Sequence, residues 1–361
     1  MTMCAWKYKQ IMPKLTIKKQ TLIKPKKITN MVGASLHHIA SELEKTSYRT
    51  EIQELDTQQL RSLTLEEALI RHFIKTCEAT IELSPRDIRS LLSAILMKFE
   101  ANCIKALLRA KEADLSVEEA MNYIIPAGRL TATRCTRILE NCDNVGDLVD
   151  ALSDMEYGLV LEKAVDVYIK ENNFYLLEVA LDRHVYRKLW GATGKFWGLD
   201  RKIARTIVGL EIDSVNVKTV LRCKAMGISG NRIRKYVFPV STVFGEKVLE
   251  EAINCADMES TIDCLVESAK LAGARDYMYV FSEIQESQVS SLTEVETILD
   301  RGLLETSLRM VKRYTSYFNI GLLLSFLNMK WFEIRNLRAI IRGSEAQIAP
   351  ERVKKLLILQ R

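Results

Sequence analysis

The 361-residue chain is 48% apolar and 27% charged, enough for one large core or several domains and ordinary for a globular protein in water. Its net charge of +6 is concentrated in eight lysines within residues 1–30, which contain no acid, so the remainder carries −2 and its charge supplies no basic nucleic-acid face. The longest apolar runs, such as Ile320 to Leu327, fall well short of the roughly 20 residues that a membrane-spanning helix needs.

Residues 1–30, with Pro13 and Pro25, show no helical periodicity and are expected to form a flexible basic arm. No apolar segment of the signal-peptide kind follows the basic start. From Met31 apolar residues recur at three/four spacing, predicting helices over 35–46 and 65–81. Ser84-Pro85 is expected to cap the next helix, which runs to about Lys111. Further helices are predicted over 147–155, 161–172, 174–188, 200–225, 246–253, 258–271, 292–312 and from about Ile320 to Gly343. Gly191 to Gly194 is expected to be a loop. Val237 to Val243 is the best strand candidate and is too short to found a sheet.

One pattern occurs three times: acid-x-x-Asn/Cys-aliphatic-base-small-aliphatic-aliphatic-Arg. The copies place Glu100, Cys103, Lys105 and Arg109; then Asp213, Asn216, Lys218 and Arg222; then Glu333, Asn336, Arg338 and Arg342. They are separated by 113 and 120 residues, and the alignment continues without gaps beyond each arginine. Asp114, Gly227 and Gln347 fall at the same point after each copy, where a left-handed residue ending the helix is expected. Ser116 (with Glu119 in a capping box), Ser229 and Pro350 then open a short charged helix. Tyr123-Ile124-Ile125-Pro126 matches Tyr236-Val237-Phe238-Pro239 at the same offset. An acid lies 34–37 residues before each Asn/Cys position (Glu66, Asp182, Asp300), and Leu-Asp-Arg occurs at both 181–183 and 299–301. Acid and arginine within one copy are out of phase on a helix, so they serve different neighbours, as caps and inter-helix ion pairs.

Reactive chemistry is absent from the pattern. Gly191 to Phe196 lacks the spacing and hydroxyl of a phosphate loop, and no metalloprotease, nucleophile-elbow or dinucleotide motif occurs. His184 stands two residues from Asp182, which on a helix points it elsewhere. The eight cysteines (Cys4, Cys77, Cys103, Cys135, Cys142, Cys223, Cys255, Cys264) form no C-x-x-C pair and read as buried, reduced thiols, and the four histidines have no metal-ligand spacing. No cofactor or metal site is expected.

The three copies, above all Trp331 to Gly343, then Leu210 to Arg222 with Leu181-Asp182-Arg183, and Ile104 to Arg109, resemble the C subunit of the archaeal-type (A-type) rotary ATPase, a family homologous to the d subunit of the vacuolar ATPase. The resemblance covers roughly residues 31–361; the tyrosine-rich start usual in the family is not found in residues 1–30, and Cys103 stands where the other copies have asparagine. It implies an all-α, non-catalytic protein of three pseudo-symmetric helical lobes forming a funnel (31–136, 137–245 and 246–361 behind the basic arm). It also implies a peripheral position on the cytoplasmic side of the membrane, with central-stalk subunits D and F and the proteolipid (c/K) ring as partners and no nucleic acid. A helical-repeat scaffold for another partner is the alternative. The repeated charges are structural or interface residues in either case.

Overall fold

The computed structural model describes residues 8–9, 11–56, 58, 60–238, 240, 243–272, 274–286, 291–314 and 318–359. These residues form helices joined by turns, with no strand among them; Ala127 and Leu130 make an isolated antiparallel bridge. The fold is all-α. The chain divides into two compact units, one of residues 1–66 with 193–361 and one of residues 67–192.

The smaller unit is built on α6 (Arg86–Glu112), the helix that carries the first signature. Ahead of it in the chain are α1 (Ile11–Gln20), α2 (Pro25–Asn30), α3 (Leu36–Glu44), α4 (Arg49–Gln53) and α5 (Ser62–Glu82). Behind it come α7 (Val117–Met121), α8 (Ala132–Asn141), α9 (Val145–Ala151), α10 (Gly158–Glu171) and α11 (Tyr175–Thr193). Ile104, Leu107 and Leu108 of α6 share one buried core with Leu139, Leu148, Leu161, Leu177 and Leu181. Burial of each such side chain contributes about 2 kcal/mol. Local signals set the helix starts: Thr131 accepts from the Arg134 amide, and Asn144 with Asp147 forms a capping box. Asn172, at φ +46°, ends α10 in the left-handed region.

The larger unit contains α1 to α4 together with α12 (Gly198–Ala225), α13 (Gly230–Tyr236), α14 (Glu246–Asn254), α15 (Met258–Leu271), α16 (Arg275–Glu286), α17 (Leu292–Arg313), α18 (Gly321–Glu345) and α19 (Pro350–Leu356). Helices α12 and α18 carry the second and third signatures and pack on each other and on α17. Gly302 permits the close approach of α17 to α16, because a β-carbon there would stand 2.5 Å from Cγ1 of Val280.

The sequence-based bounds hold closely for the long helices and fail at particular places. The basic arm expected to be flexible is folded over its described part: α1 and α2 bury Ile11, Met12, Leu15 and Ile28, and α1 packs on α18. Ser84 does not cap α6; its hydroxyl donates to the Thr80 carbonyl, and Pro85 takes the cap position. Ser229 stands at the N-cap of α13 without a side-chain cap bond, whereas Ser116 makes the expected box with Glu119. The loop expected at 191–194 begins later, since α11 continues through Thr193. Pro239 and Cys4 lie outside the described residues.

Candidate functional site

Each signature helix ends in the same way. Asp114, Gly227 and Gln347 have φ of +49°, +68° and +52°. The next amide donates back to the carbonyl five residues earlier: Leu115 to Ala110 at 3.0 Å, Ile228 to Cys223 at 2.9 Å, Ile348 to Gly343 at 2.8 Å. This 6→1 bond satisfies a carbonyl that the helix end would leave open.

The asparagines form clamps. The Asn216 side chain donates to the Phe238 carbonyl (2.9 Å) and accepts from the Phe238 amide (2.8 Å). Asn336 does the same with Ile358, at 2.7 Å in both directions. All four bonds are buried, and each clamp ties the segment beyond a short helix to the signature helix it left 22 residues earlier. Copy one differs: the sulfur of Cys103 meets that of Cys135 at 3.6 Å.

The bases pair with the helix that leads into another copy. Lys105 meets Asp182 on α11, with Arg109 bidentate to Glu178 one turn away. Lys218 meets Asp300 on α17 at 2.5 Å, with Arg222 reaching Glu296 at 2.6 Å. Arg338 meets Glu66 at the start of α5 at 2.7 Å, and Arg342 reaches the same carboxylate. Along the chain, Asp182 thus precedes copy two, Asp300 precedes copy three and Glu66 precedes copy one. Arg335 adds a second partner for Asp300 at 2.8 Å. The hydrogen bond from Arg109 to Glu178 and that from Arg342 to Glu66 each raise the guanidinium pKa. Burial pushes the Asp182 carboxyl up, against the opposing pull of Lys105.

The signature acids have other partners, as their helical phase requires. Glu100 accepts from the Arg129 amide at 2.7 Å and from the Tyr157 hydroxyl at 3.3 Å. Asp213 is fully buried in α12. Glu333 is buried and accepts from the Ile23 amide (2.5 Å), the Tyr48 hydroxyl (2.8 Å) and Lys330 (2.8 Å), which holds the N-terminal segment on α18. Asp200 has a matching role, accepting from the Tyr8 hydroxyl at 2.8 Å and from the Ile320 amide at 3.0 Å. Burial lowers the Lys330 pKa and, with Glu333 beside it, raises that of Tyr48.

Sequence reasoning missed Glu178, Glu296, Asp200, Lys330 and Tyr48. A signal existed for the first two, since each lies four residues before a repeated aspartate and so on the same helical face. Another repeated contact also went unread: Lys111 donates to the Leu139 carbonyl (2.7 Å) and Lys224 to the Ile253 carbonyl (3.1 Å), each at the end of a helix. His184 and Asp182 do not form a catalytic pair, because the His184 ring lies 3.4 Å from Glu156 while Asp182 is held by Lys105. Among the described residues no group of three or more His, Cys, Asp or Glu side chains could hold a metal, and no helix is long and apolar enough to cross a membrane. What the arrangement does chemically is to lock long helices in register.

The family model for the ATP synthase (C/AC39) subunit matches residues 11–356, which includes most of the segment whose sequence lacks the usual family start. The chain is 26% identical over 354 residues to the A-type ATP synthase C subunit of Methanocaldococcus jannaschii, covering 97% of this chain and 86% of that protein. It is 28% identical to the protein of the same name in Methanothermobacter thermautotrophicus (81% and 74% covered) and 25% identical to that of Methanosarcina acetivorans (94% and 90%). A triplicated helical framework held by caps, clamps and ion pairs, matched over nearly its whole length, leads to one assignment: the chain belongs to the ATP synthase (C/AC39) subunit family and is a non-catalytic subunit of a rotary ATPase.

Proposed function

We propose that this chain is the coupling piece of the rotor, seated between the central shaft and the membrane proteolipid ring on the cytoplasmic side and turning with both. Residues 31–136, 137–245 and 246–361 would be three lobes of one funnel whose signature helices surround a common axis. Subunits D and F would enter that socket. The observation that carries the reading is the cyclic order of the ion pairs: Lys105 to Asp182, Lys218 to Asp300, Arg338 to Glu66. Three equivalent helices, each tied to the approach of another, suit a ring-like socket better than an open array with free ends. A torque-bearing spacer needs stiffness, and buried clamps and bidentate pairs supply it without a reactive centre.

Co-purification tests the proposal. The tagged chain should bring down D, F and the ring after mild membrane solubilisation. Recovery with peripheral-stalk subunits alone would sink the coupling role while leaving family membership intact.

A further inference from the structure

The internal repeat exposes one departure that the framework does not need. Copies two and three place a clamping asparagine where copy one has Cys103. The Cys103 sulfur faces Cys135 of α8 at 3.6 Å, and both residues are buried. The position 113 residues after Cys135 is Val248, so copy two has no counterpart to the pair.

We propose that Cys103 and Cys135 are an oxidation site: a peroxide converts them to a disulfide that staples α6 to α8 within residues 67–192. Bonded sulfurs stand about 2.05 Å apart, so the pair must close by about 1.5 Å and turn its Cβ–S–S–Cβ dihedral to about 90°. The two thiols are not equivalent. The contact between the two sulfurs lowers the Cys135 pKa, with Arg134 adding to the effect, and together with burial it raises that of Cys103. Cys135 is therefore the nucleophile.

Its sulfur attacks one peroxide oxygen, the O–O bond breaks, and the leaving hydroxide takes a proton to depart as water. Cys135 is then a sulfenic acid. The Cys103 sulfur attacks the Cys135 sulfur, the S–O bond breaks, and the hydroxide leaves with the Cys103 proton as a second water. Two thiols are oxidised to one disulfide, and one peroxide is reduced to two waters. Access requires only a local opening of α8, a helix of 10 residues, wide enough for a molecule little larger than water. The staple closes the chain between the two cysteines and so restrains the unfolded state. None of this depends on the coupling role proposed above.

The test uses the purified full chain, treated with hydrogen peroxide, alkylated, digested and read by mass spectrometry alongside a thermal melt. The wild type should yield a Cys103–Cys135 linked peptide and a melting midpoint raised by several degrees. Cys103→Asn, which restores the residue of the other copies, and Cys135→Ser should both fold and show neither effect. Cys255 and Cys264 serve as internal controls, being less buried. If Cys103 and Cys135 stay open to alkylation while Cys255 or Cys264 is oxidised, the proposal fails. A linked peptide without a rise in the midpoint also overturns it.

Discussion

At the scale of single residues, the repeated charges act as fasteners. Glu66 shows how much one carboxylate can hold: it is 2% exposed and accepts from both Arg338 and Arg342. Glu66→Gln removes the charge and leaves two guanidinium groups competing for one neutral carbonyl. Because Arg342 is 63% exposed, the loss is smaller than for a fully buried pair, about 2–3 kcal/mol of unfolding free energy. Denaturant midpoints of the two proteins measure it, and equal midpoints would show that the pair carries no stability. Glu42 gives a pH test. Hydrogen bonds from Lys45 and Lys27 hold its carboxyl down to about 2 from an ordinary 4.5. Between those values the unfolded chain binds more protons than the folded one, so the contribution is complete above pH 4.5 and fades as pH falls toward 2. Lys27→Ala should move the Glu42 titration, followed by carboxyl NMR, back up toward 4.5, and an unmoved midpoint would refute the contact.

At the scale of elements, what the sequence shows depends on whether the pattern is local. Helix ends are local. Asp114, Gly227 and Gln347 align by register in the sequence alone, and all three have positive φ. Glutamine has no side-chain reason to sit there, so Gln347→Gly should stabilise the protein by about 1 kcal/mol, and Gly227→Gln should cost a similar amount. Thermal or chemical denaturation decides this, and the same sign for both changes would contradict the shared cap. The N-terminal helices are not local in this sense. Lysines dilute the apolar positions of α1 and α2, and those helices are stabilised by packing and by the bonds of the flanking Tyr8 to Asp200 and Ile23 to Glu333, 192 and 310 residues away in the chain. Ser84 illustrates the opposite error. A serine before a proline is a good capping signal, but its hydroxyl found the Thr80 carbonyl of the preceding helix instead.

At the scale of the whole molecule, triplication was visible in the sequence because each copy repeats cap, clamp position and bases in register. The pairing order was not visible, since it depends on which approach helix each signature meets. Glu178 and Glu296 mark the matched faces only after Asp182 and Asp300 are known to pair with Lys105 and Lys218. The one substitution that breaks the repeat, Cys103, was visible as a departure, but its contact with Cys135 was not. Family membership fixes the kind of machine the chain serves, and the cyclic pairing motivates its place in that machine. The most direct test is a density map of the assembled complex, at a resolution sufficient to place helices, with this protein located in it. The account predicts a central position, with the shaft seated in the protein and the ring beneath it. A position at the periphery, beside a stator stalk and away from the axis, would contradict it.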